Sequence, residues 1–93
     1  MSNDLSQEIA TLASEARHHR IHEHGIIKEL TMIVGYAHMA EIHPDSTICA
    51  LALRKHLQRF ADLAGAHEHY NLCEHTQRIV DIVNADRQLS DVA

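Results

Sequence analysis

Aromatic residues, glycine and proline are scarce in this 93-residue sequence, and their scarcity argues against a β-sheet protein. Aromatic residues make up 3% of the chain, which also holds three glycines and one proline, whereas 45% of its residues are hydrophobic. Sheets use aromatic and β-branched side chains and frequent turns, while leucine, isoleucine and alanine pack well between helices. The composition therefore predicts an all-α fold.

Basic residues are also few. Eight lysines and arginines stand against 13 aspartates and glutamates, which gives a formal charge of −5 with histidine neutral. A protein that follows a nucleic-acid backbone needs a basic stripe, and Arg54, Lys55 and Arg59 make only a small patch. We therefore expect no nucleic-acid partner.

Long hydrophobic runs are missing as well. No stretch approaches the roughly 20 apolar residues of a membrane span, and the start "MSNDLSQE" has neither the basic nor the apolar region of a signal peptide. We expect a cytoplasmic protein without membrane contact. Cys49 and Cys73 would lie about 36 Å apart on one helix, so they are expected to be free thiols, ligands or intermolecular partners.

Apolar residues recur at helical spacing in the first half of the chain. Asp4 and Gln7 have the spacing of a capping box, and the apolar stripe that follows stops before Pro44. The residue before a proline is driven away from helical geometry. The pattern predicts a helix over about residues 5–42.

A second stripe follows a predicted turn at residues 43–45. It predicts a helix over about residues 46–84 that either continues through Gly65 or breaks there. We expect continuation, because one interior glycine costs only about 1 kcal/mol. Residues 1–93 are then one domain, a long antiparallel helical hairpin. Its exposed stripe predicts a homodimer in which two hairpins form a four-helix bundle.

Histidine and glutamate interrupt both stripes at the same level. With the turn centred between Pro44 and Asp45, facing residues have numbers that sum to about 89, which brings residues 15–23 level with residues 67–74. Several pairs in these segments are four residues apart and project from one helical face. Imidazole with thiolate suits Zn²⁺, and imidazole with carboxylate suits iron. The candidate metal ligands are His18, His19, His22, Glu23, His67, His69 and Cys73.

Structural or solvent-exposed histidines are the alternative interpretation of the same pattern. Ten histidines in 93 residues produce pairs at this spacing by chance. We expect His38, His43, His56 and His75 to lie on the surface.

Two segments are similar to metal-binding helical families. "HEHGIIKEL" and "LRKHLQRFADLAGAHEH" resemble helices of hemerythrin-like cation-binding domains, which implies a four-helix bundle with a di-iron centre held by histidines and carboxylates. The order of His19, "CALA" and "AHEHYNLC" is similar to chemoreceptor zinc-binding domains. That resemblance implies zinc ligands at His19, Cys49 and His67.

A third resemblance points to another functional class. "HEHGIIKELTMIVGYAHM" looks like the phosphoacceptor helix of sensor histidine kinases, which form dimeric bundles. It implies His24 as the phosphoryl acceptor, whereas "HHRIHE", which resembles another kinase subgroup, implies His19. Because the sequence has no glycine-rich ATP-binding segment, the resemblance implies at most a phosphotransfer partner.

No Walker loop, nucleophile elbow, dinucleotide fingerprint or paired Cys-x-x-Cys is present, so we expect no enzyme. The sequence predicts a helical bundle that binds Zn or Fe through the His/Glu/Cys residues for sensing or storage. One alternative is phosphotransfer. The other is an interaction module for a regulatory partner protein, as in antiactivators and adaptors, which exposed Ile27, Val34 or Leu72 would favour.

Overall fold

Four α-helices joined by short connections make up the computed structural model, which describes residues 2–19, 21 and 23–87. No strand occurs among these described residues, and the all-α prediction is confirmed. The helices are α1 (Ser2–His18), α2 (His24–Ile42), α3 (Thr47–Ala66) and α4 (Tyr70–Arg87).

Each helix packs against its neighbours in the chain, and the first helix closes the ring on the last. α2 contacts α3, α3 contacts α4, and α1 contacts both α4 and α2. Antiparallel neighbours joined by short connections form an up-down-up-down four-helix bundle. The bundle measures 35 × 24 × 19 Å, so its length matches single helices of 17 to 20 residues.

The prediction of two continuous helices is wrong at both histidine-rich segments. The expected helix 5–42 is divided, since α1 ends at His18 and α2 begins at His24, and the expected helix 46–84 is divided between Ala66 and Tyr70. One chain therefore forms the bundle that two long hairpins were expected to form. When the chain folds back at the two breaks, it buries apolar stripes that a single hairpin would leave exposed to water. The free energy gained by this burial outweighs the cost of interrupting the two helices.

The second break lies just beyond Gly65, not at it. The Glu68 N–H donates to the Gly65 carbonyl at 3.0 Å, and the His69 N–H donates to the Ala64 carbonyl at 2.8 Å. These two bonds form a Schellman motif, which ends a helix with one residue in the left-handed region. Glu68 is that residue, with φ 62°.

The first break is tied to the core by Ile21. Its N–H donates to the Ala16 carbonyl at 3.2 Å, and its side chain is buried. At the opposite end of the bundle, the turn before α3 lies close to the predicted position. Ser46 caps α3 by accepting a hydrogen bond from the Cys49 N–H at 3.2 Å.

One hydrophobic cluster fills the bundle and draws on all four helices. Phe60 is the largest fully buried side chain. Leu72, which could have been exposed, is buried too. None of the described helices combines the length and apolarity that crossing a bilayer requires. The buried apolar residues of the cluster are Leu5, Ile9, Leu12, Ala16, Ile21, Ile26, Ile33, Ala37, Ala50, Leu53, Leu57, Phe60, Ala64, Leu72, Ile79, Val80 and Val83.

Candidate functional sites

The two histidine-rich connections lie at the same end of the bundle and touch each other. The Asn71 side-chain amide donates to His19 Nε2 at 3.1 Å. Oε1 of Glu23 lies 3.2 Å from His69 Nε2 and 3.6 Å from His67 Nδ1. The facing segments are those expected from the position of the α2–α3 turn, although part of each segment forms a connection instead of one continuous helix.

Glu23 is the centre of this polar end. It stands at the N-cap of α2 and is one-third exposed. A hydrogen bond from its own backbone N–H lowers the pKa of the Glu23 carboxyl, and a hydrogen bond from His69 lowers it further. The charges of His67 and His69 act in the same direction, while partial burial opposes them. Glu23 is therefore held as a carboxylate.

The predicted metal ligands are brought together only in part. Glu23, His67 and His69 contact one another, while the His18 and His19 rings meet edge to face with centroids 5.4 Å apart. His22 lies outside the described residues. Among the residues that the structure does describe, no group of three or more His, Cys, Asp or Glu side chains is arranged to hold a metal ion.

Cys73 turns away from the polar end. Its Sγ donates to the Ala61 carbonyl on α3 at 3.2 Å. Burial raises the pKa of the Cys73 thiol, and the charges of Asp62 and Glu74 raise it further. Cys73 is therefore held as a thiol and does not form a thiolate–imidazole pair with His69 in this arrangement.

The ligand set implied by the zinc-binding chemoreceptor resemblance is not assembled. Cys49 lies in the first turn of α3, whereas His67 follows the last turn. The two are separated by about 27 Å along the helix. His19 and His67 do share the polar end. His24, the residue implied as a phosphoryl acceptor, is exposed at the first position of α2.

A buried histidine between two carboxylates was missed by sequence reasoning. His75 was expected on the surface, but it is 2% exposed. Its Nε2 lies 2.6 Å from Glu8 Oε2, and its Nδ1 lies 3.3 Å from Glu15 Oε2 without a hydrogen-bond partner. The sequence did contain a sign of this site, because Glu8 and Glu15 are seven residues apart and therefore lie on one face of α1. His75 falls in the apolar stripe of α4, where the need to bury the stripe brings it against α1.

His56 is a second histidine that the prediction wrongly placed on the surface. Its Nδ1 lies 2.5 Å from Glu29 Oε2, and its ring stacks on Tyr36 with centroids 5.3 Å apart. Both side chains of the ion pair are 13% exposed. His56 therefore joins α3 to α2, as His75 joins α4 to α1. His38 and His43 are exposed, as predicted.

The side of α2 that points away from the core is exposed and largely apolar. Ile27 is 44% exposed, Val34 47% and Ile42 54%. An added Cβ at Gly35 would meet nothing within 4 Å, so this position opens outward. The residues of this surface, called here the outer face of α2, are Ile27, Thr31, Val34, Gly35, His38 and Ile42.

No family model matches the sequence, and comparisons with curated proteins and with solved structures find no match to the chain. The resemblances to hemerythrin-like domains, chemoreceptor zinc-binding domains and phosphoacceptor helices stay predictions. Two features of the structure bear on function, the polar end and the outer face of α2.

Proposed function

We propose that this protein is a small, non-enzymatic helical interaction module that docks a partner protein on the outer face of α2. The observation that carries the proposal is the exposure of Ile27, Val34 and Ile42 on a helix whose opposite side is already in the core. Ile27 and Val34 are two of the three residues whose exposure was expected to favour an interaction module. Leu72, the third, is part of the core.

The composition of α2 supports the proposal. Its core side is formed by Ile26, Ile33, Ala37 and Ala40, yet residues 30–40 contain no Asp, Glu, Lys or Arg on any side. Lys28, Glu29 and Glu41 lie outside this central segment, and a helical segment without charged residues on any side is normally covered on more than one side. Because α2 is covered by its own chain on one side only, the remaining side is suited to a partner.

α3 provides the contrast within the same bundle. Its solvent side carries Lys55, Gln58, Arg59 and Asp62, all exposed. Charged and polar side chains are what a solvated helix face normally presents. The outer face of α2 therefore differs from this side of α3, although α3 exposes Ile48 at its start and α4 exposes Tyr70.

The test compares two variants that each add one negative charge to an exposed helix position. Val34→Glu places the charge on the outer face of α2, and Gln58→Glu places it on α3. Wild-type and variant proteins are immobilised and exposed to an extract of the organism that encodes the chain. We expect Val34→Glu to lose the proteins captured by the wild type and Gln58→Glu to retain them. An identical captured set for all three proteins would contradict the proposal.

A second function, Zn²⁺ binding at the polar end, would use Glu23, His67 and His69, which meet there but which, like the other described residues, are not arranged to hold a metal ion. Ligand atoms bound to tetrahedral zinc at about 2.1 Å lie about 3.4 Å from each other. The Glu23 carboxylate oxygen lies 3.2 Å from a His69 nitrogen and 3.6 Å from a His67 nitrogen, on either side of that spacing. Binding requires the two imidazoles to turn toward a common point, which their exposed fractions of 46% for His67 and 26% for His69 permit.

The zinc proposal is tested by elemental analysis of untagged protein and by calorimetric titration with Zn²⁺. We expect stoichiometric zinc in the wild type, retention in His43→Gln at the opposite end, and loss in His69→Gln. Binding should weaken below roughly pH 6, because zinc competes with protons for imidazole. Absence of zinc from the wild type, or equal binding by the two variants, would reject the site.

A further inference from the structure

We propose that two copies of this chain exchange α1, so that α1 of each copy packs in the bundle of the other. In such a domain-swapped dimer the connection between His18 and His24 becomes helical, and α1 continues into α2 as one long helix. The other helices keep their places, and the two bundles meet at their polar ends. The inference does not rest on the docking surface proposed above, because it concerns the core side of α1 and α2.

The buried residues of α1 and α2 share one seven-residue register. Ile26 lies 14 residues after Leu12, and Ala37 lies 21 residues after Ala16, so the spacing continues across the connection between the helices. A sustained seven-residue repeat keeps one side of a continuous helix on the axis of a left-handed bundle. If α1 and α2 formed one helix, both buried faces would therefore point to the same axis.

The connection between α3 and α4 does not keep such a register. The seven-residue interval from Ala64 leads to Asn71, which is exposed, whereas the neighbouring Leu72 is buried. α3 also ends in a Schellman motif with Glu68 in the left-handed region. By contrast, α2 begins without a side-chain cap at Glu23, and none of the residues described between α1 and α2 has a positive φ. The first connection is therefore the one suited to becoming helical.

A second copy is the partner because the place that α1 would leave is suited to α1 itself. His75 lies there, 2% exposed, with Glu8 at 2.6 Å from one ring nitrogen and Glu15 at 3.3 Å from the other. A different helix would have to bring two carboxylates seven residues apart beside an apolar stripe, or leave a buried imidazole without partners. α1 of another copy brings both carboxylates together with the fully buried Leu12.

The exchange alters few contacts. α1 contacts α2 and α4 within one chain, and both contacts are made again between the two copies. Ile21 is the exception, because it is the one buried residue in the described part of α1, α2 and their connection that falls outside the register. It would be exposed on the long helix, and this opposes the exchange. Since two chains must associate, the dimer should grow with protein concentration.

Sedimentation equilibrium of the full chain over a range of concentrations measures the dimer dissociation constant. Proline suits the first position of α2, and Glu23 before it has ψ 120°, the extended geometry that precedes a proline. In the long helix the same proline would lie in the interior and disrupt it. We expect His24→Pro to raise the dissociation constant by at least about a hundredfold while keeping the helical circular dichroism of the monomer. His24→Ala, the matched control, should leave the constant unchanged.

Ile21→Ala should act in the opposite direction, because it removes burial that only the closed monomer has. We expect it to lower the dimer dissociation constant on the order of a hundredfold, about tenfold for each chain. The two connection variants therefore shift one equilibrium to opposite sides. A dimer that uses a surface outside the connection would respond to neither of them.

A distance within one chain distinguishes exchange from pairing of closed monomers. Spin labels replace the exposed residues Gln7 and Asp81 in a Cys49→Ser/Cys73→Ser background, and labelled chains are refolded with an excess of unlabelled chains. In the closed chain both labels lie at one end of a bundle 24 × 19 Å across. In the swapped dimer they lie in different bundles, about 50 Å apart. Pulsed electron paramagnetic resonance of the dimer fraction should show the long distance.

Three results would overturn the inference. A dimer that shows only the short distance consists of closed chains that pair through another surface. A dimer that forms equally well with His24→Pro does not need a long helix. A wild type and an Ile21→Ala variant that both stay monomeric at every concentration do not exchange α1.

Discussion

Replacing Glu68 with glycine should stabilise the protein, because this residue occupies a backbone conformation that suits glycine best. Glu68 follows the C-cap of α3 with φ 62°, and its N–H donates one of the two hydrogen bonds of the Schellman motif. A residue with a Cβ pays roughly 1–2 kcal/mol in the left-handed region. Glycine avoids this cost but loses about 0.5–1 kcal/mol more backbone entropy on folding.

The balance is a gain of about 1 kcal/mol in the free energy of unfolding for Glu68→Gly. The Glu68 side chain is exposed, so its removal uncovers no buried surface. For a chain of this size, about 1 kcal/mol corresponds to a rise in Tm of about 4–8 °C. Thermal and urea denaturation followed by far-ultraviolet circular dichroism measure both quantities.

Glu68→Ala is the matched control, because it removes the same charge and side chain but keeps the Cβ. Its stability should stay close to that of the wild type. If Glu68→Gly is no more stable than Glu68→Ala, the left-handed residue does not cost what the geometry implies, and the account of how α3 ends is incorrect.

Three further predictions concern the polar end, the core and the thiols. Glu23→Gln should lower the free energy of unfolding at neutral pH, because a carboxyl with a lowered pKa stabilises the fold while it is ionised. The difference from wild type should shrink as the pH falls below 4.5, the ordinary pKa of a glutamate. Urea denaturation at several pH values tests this, and a difference that does not change with pH would refute it. Phe60→Ala should lower the free energy of unfolding, measured by urea denaturation, by about 3–5 kcal/mol, because it removes the largest fully buried side chain. A loss of less than about 1 kcal/mol would contradict the packing of Phe60 in the core. In the variant Cys49→Ser, which removes the other free cysteine, Cys73 should react with a disulfide reagent more slowly than free cysteine does. The reason is that burial raises the pKa of the Cys73 thiol. An equal reaction rate would show an accessible thiolate and contradict this prediction.

The helical class and much of the core could be predicted from spacing alone. Leu53, Leu57 and Phe60 recur at helical intervals in the sequence and are fully buried in the bundle. The turn before α3 was also readable, because Pro44 stops one helix and Ser46 has the chemistry to cap the next. The position of that turn fixed which residues face each other, so the contact between the two histidine-rich segments could be expected.

Local rules offered a break at Gly65 only as the alternative to a continuous helix, and they did not predict the break between His18 and His24. Glu68 carries no signal for the left-handed region, where glycine or asparagine would be typical. The break follows from the benefit of covering apolar stripes within one chain, which is a property of the whole bundle. The same benefit draws His75 into the interior beside Glu8 and Glu15. His75 was predicted to lie on the surface although the expected hairpin already brought residues 15–23 level with residues 67–74, because its position between two glutamates of α1 was not recognised.

The outer face of α2 shows a different limit of sequence reasoning. The apolar stripe of the sequence indicated the side of α2 that its own chain buries, which is formed by Ile26, Ile33, Ala37 and Ala40. Ile27 and Val34 could be named only as residues to watch, because spacing does not show whether apolar residues beside the stripe stay exposed. Once α3 and α1 are in place, the exposed side is determined. The functional proposal therefore depends on tertiary packing and not on any motif in the sequence.

Site-specific photo-crosslinking in cells of the encoding organism tests the central claim most directly. A photoreactive amino acid replaces Thr31 in the middle of the outer face of α2, or Gln58 on the solvent side of α3 as the control; both positions are exposed. The account predicts a covalent adduct to a protein, either another copy or a different chain, from position 31 and none from position 58. No adduct from position 31, or equal adducts from both positions, would contradict the claim that this face is the docking surface.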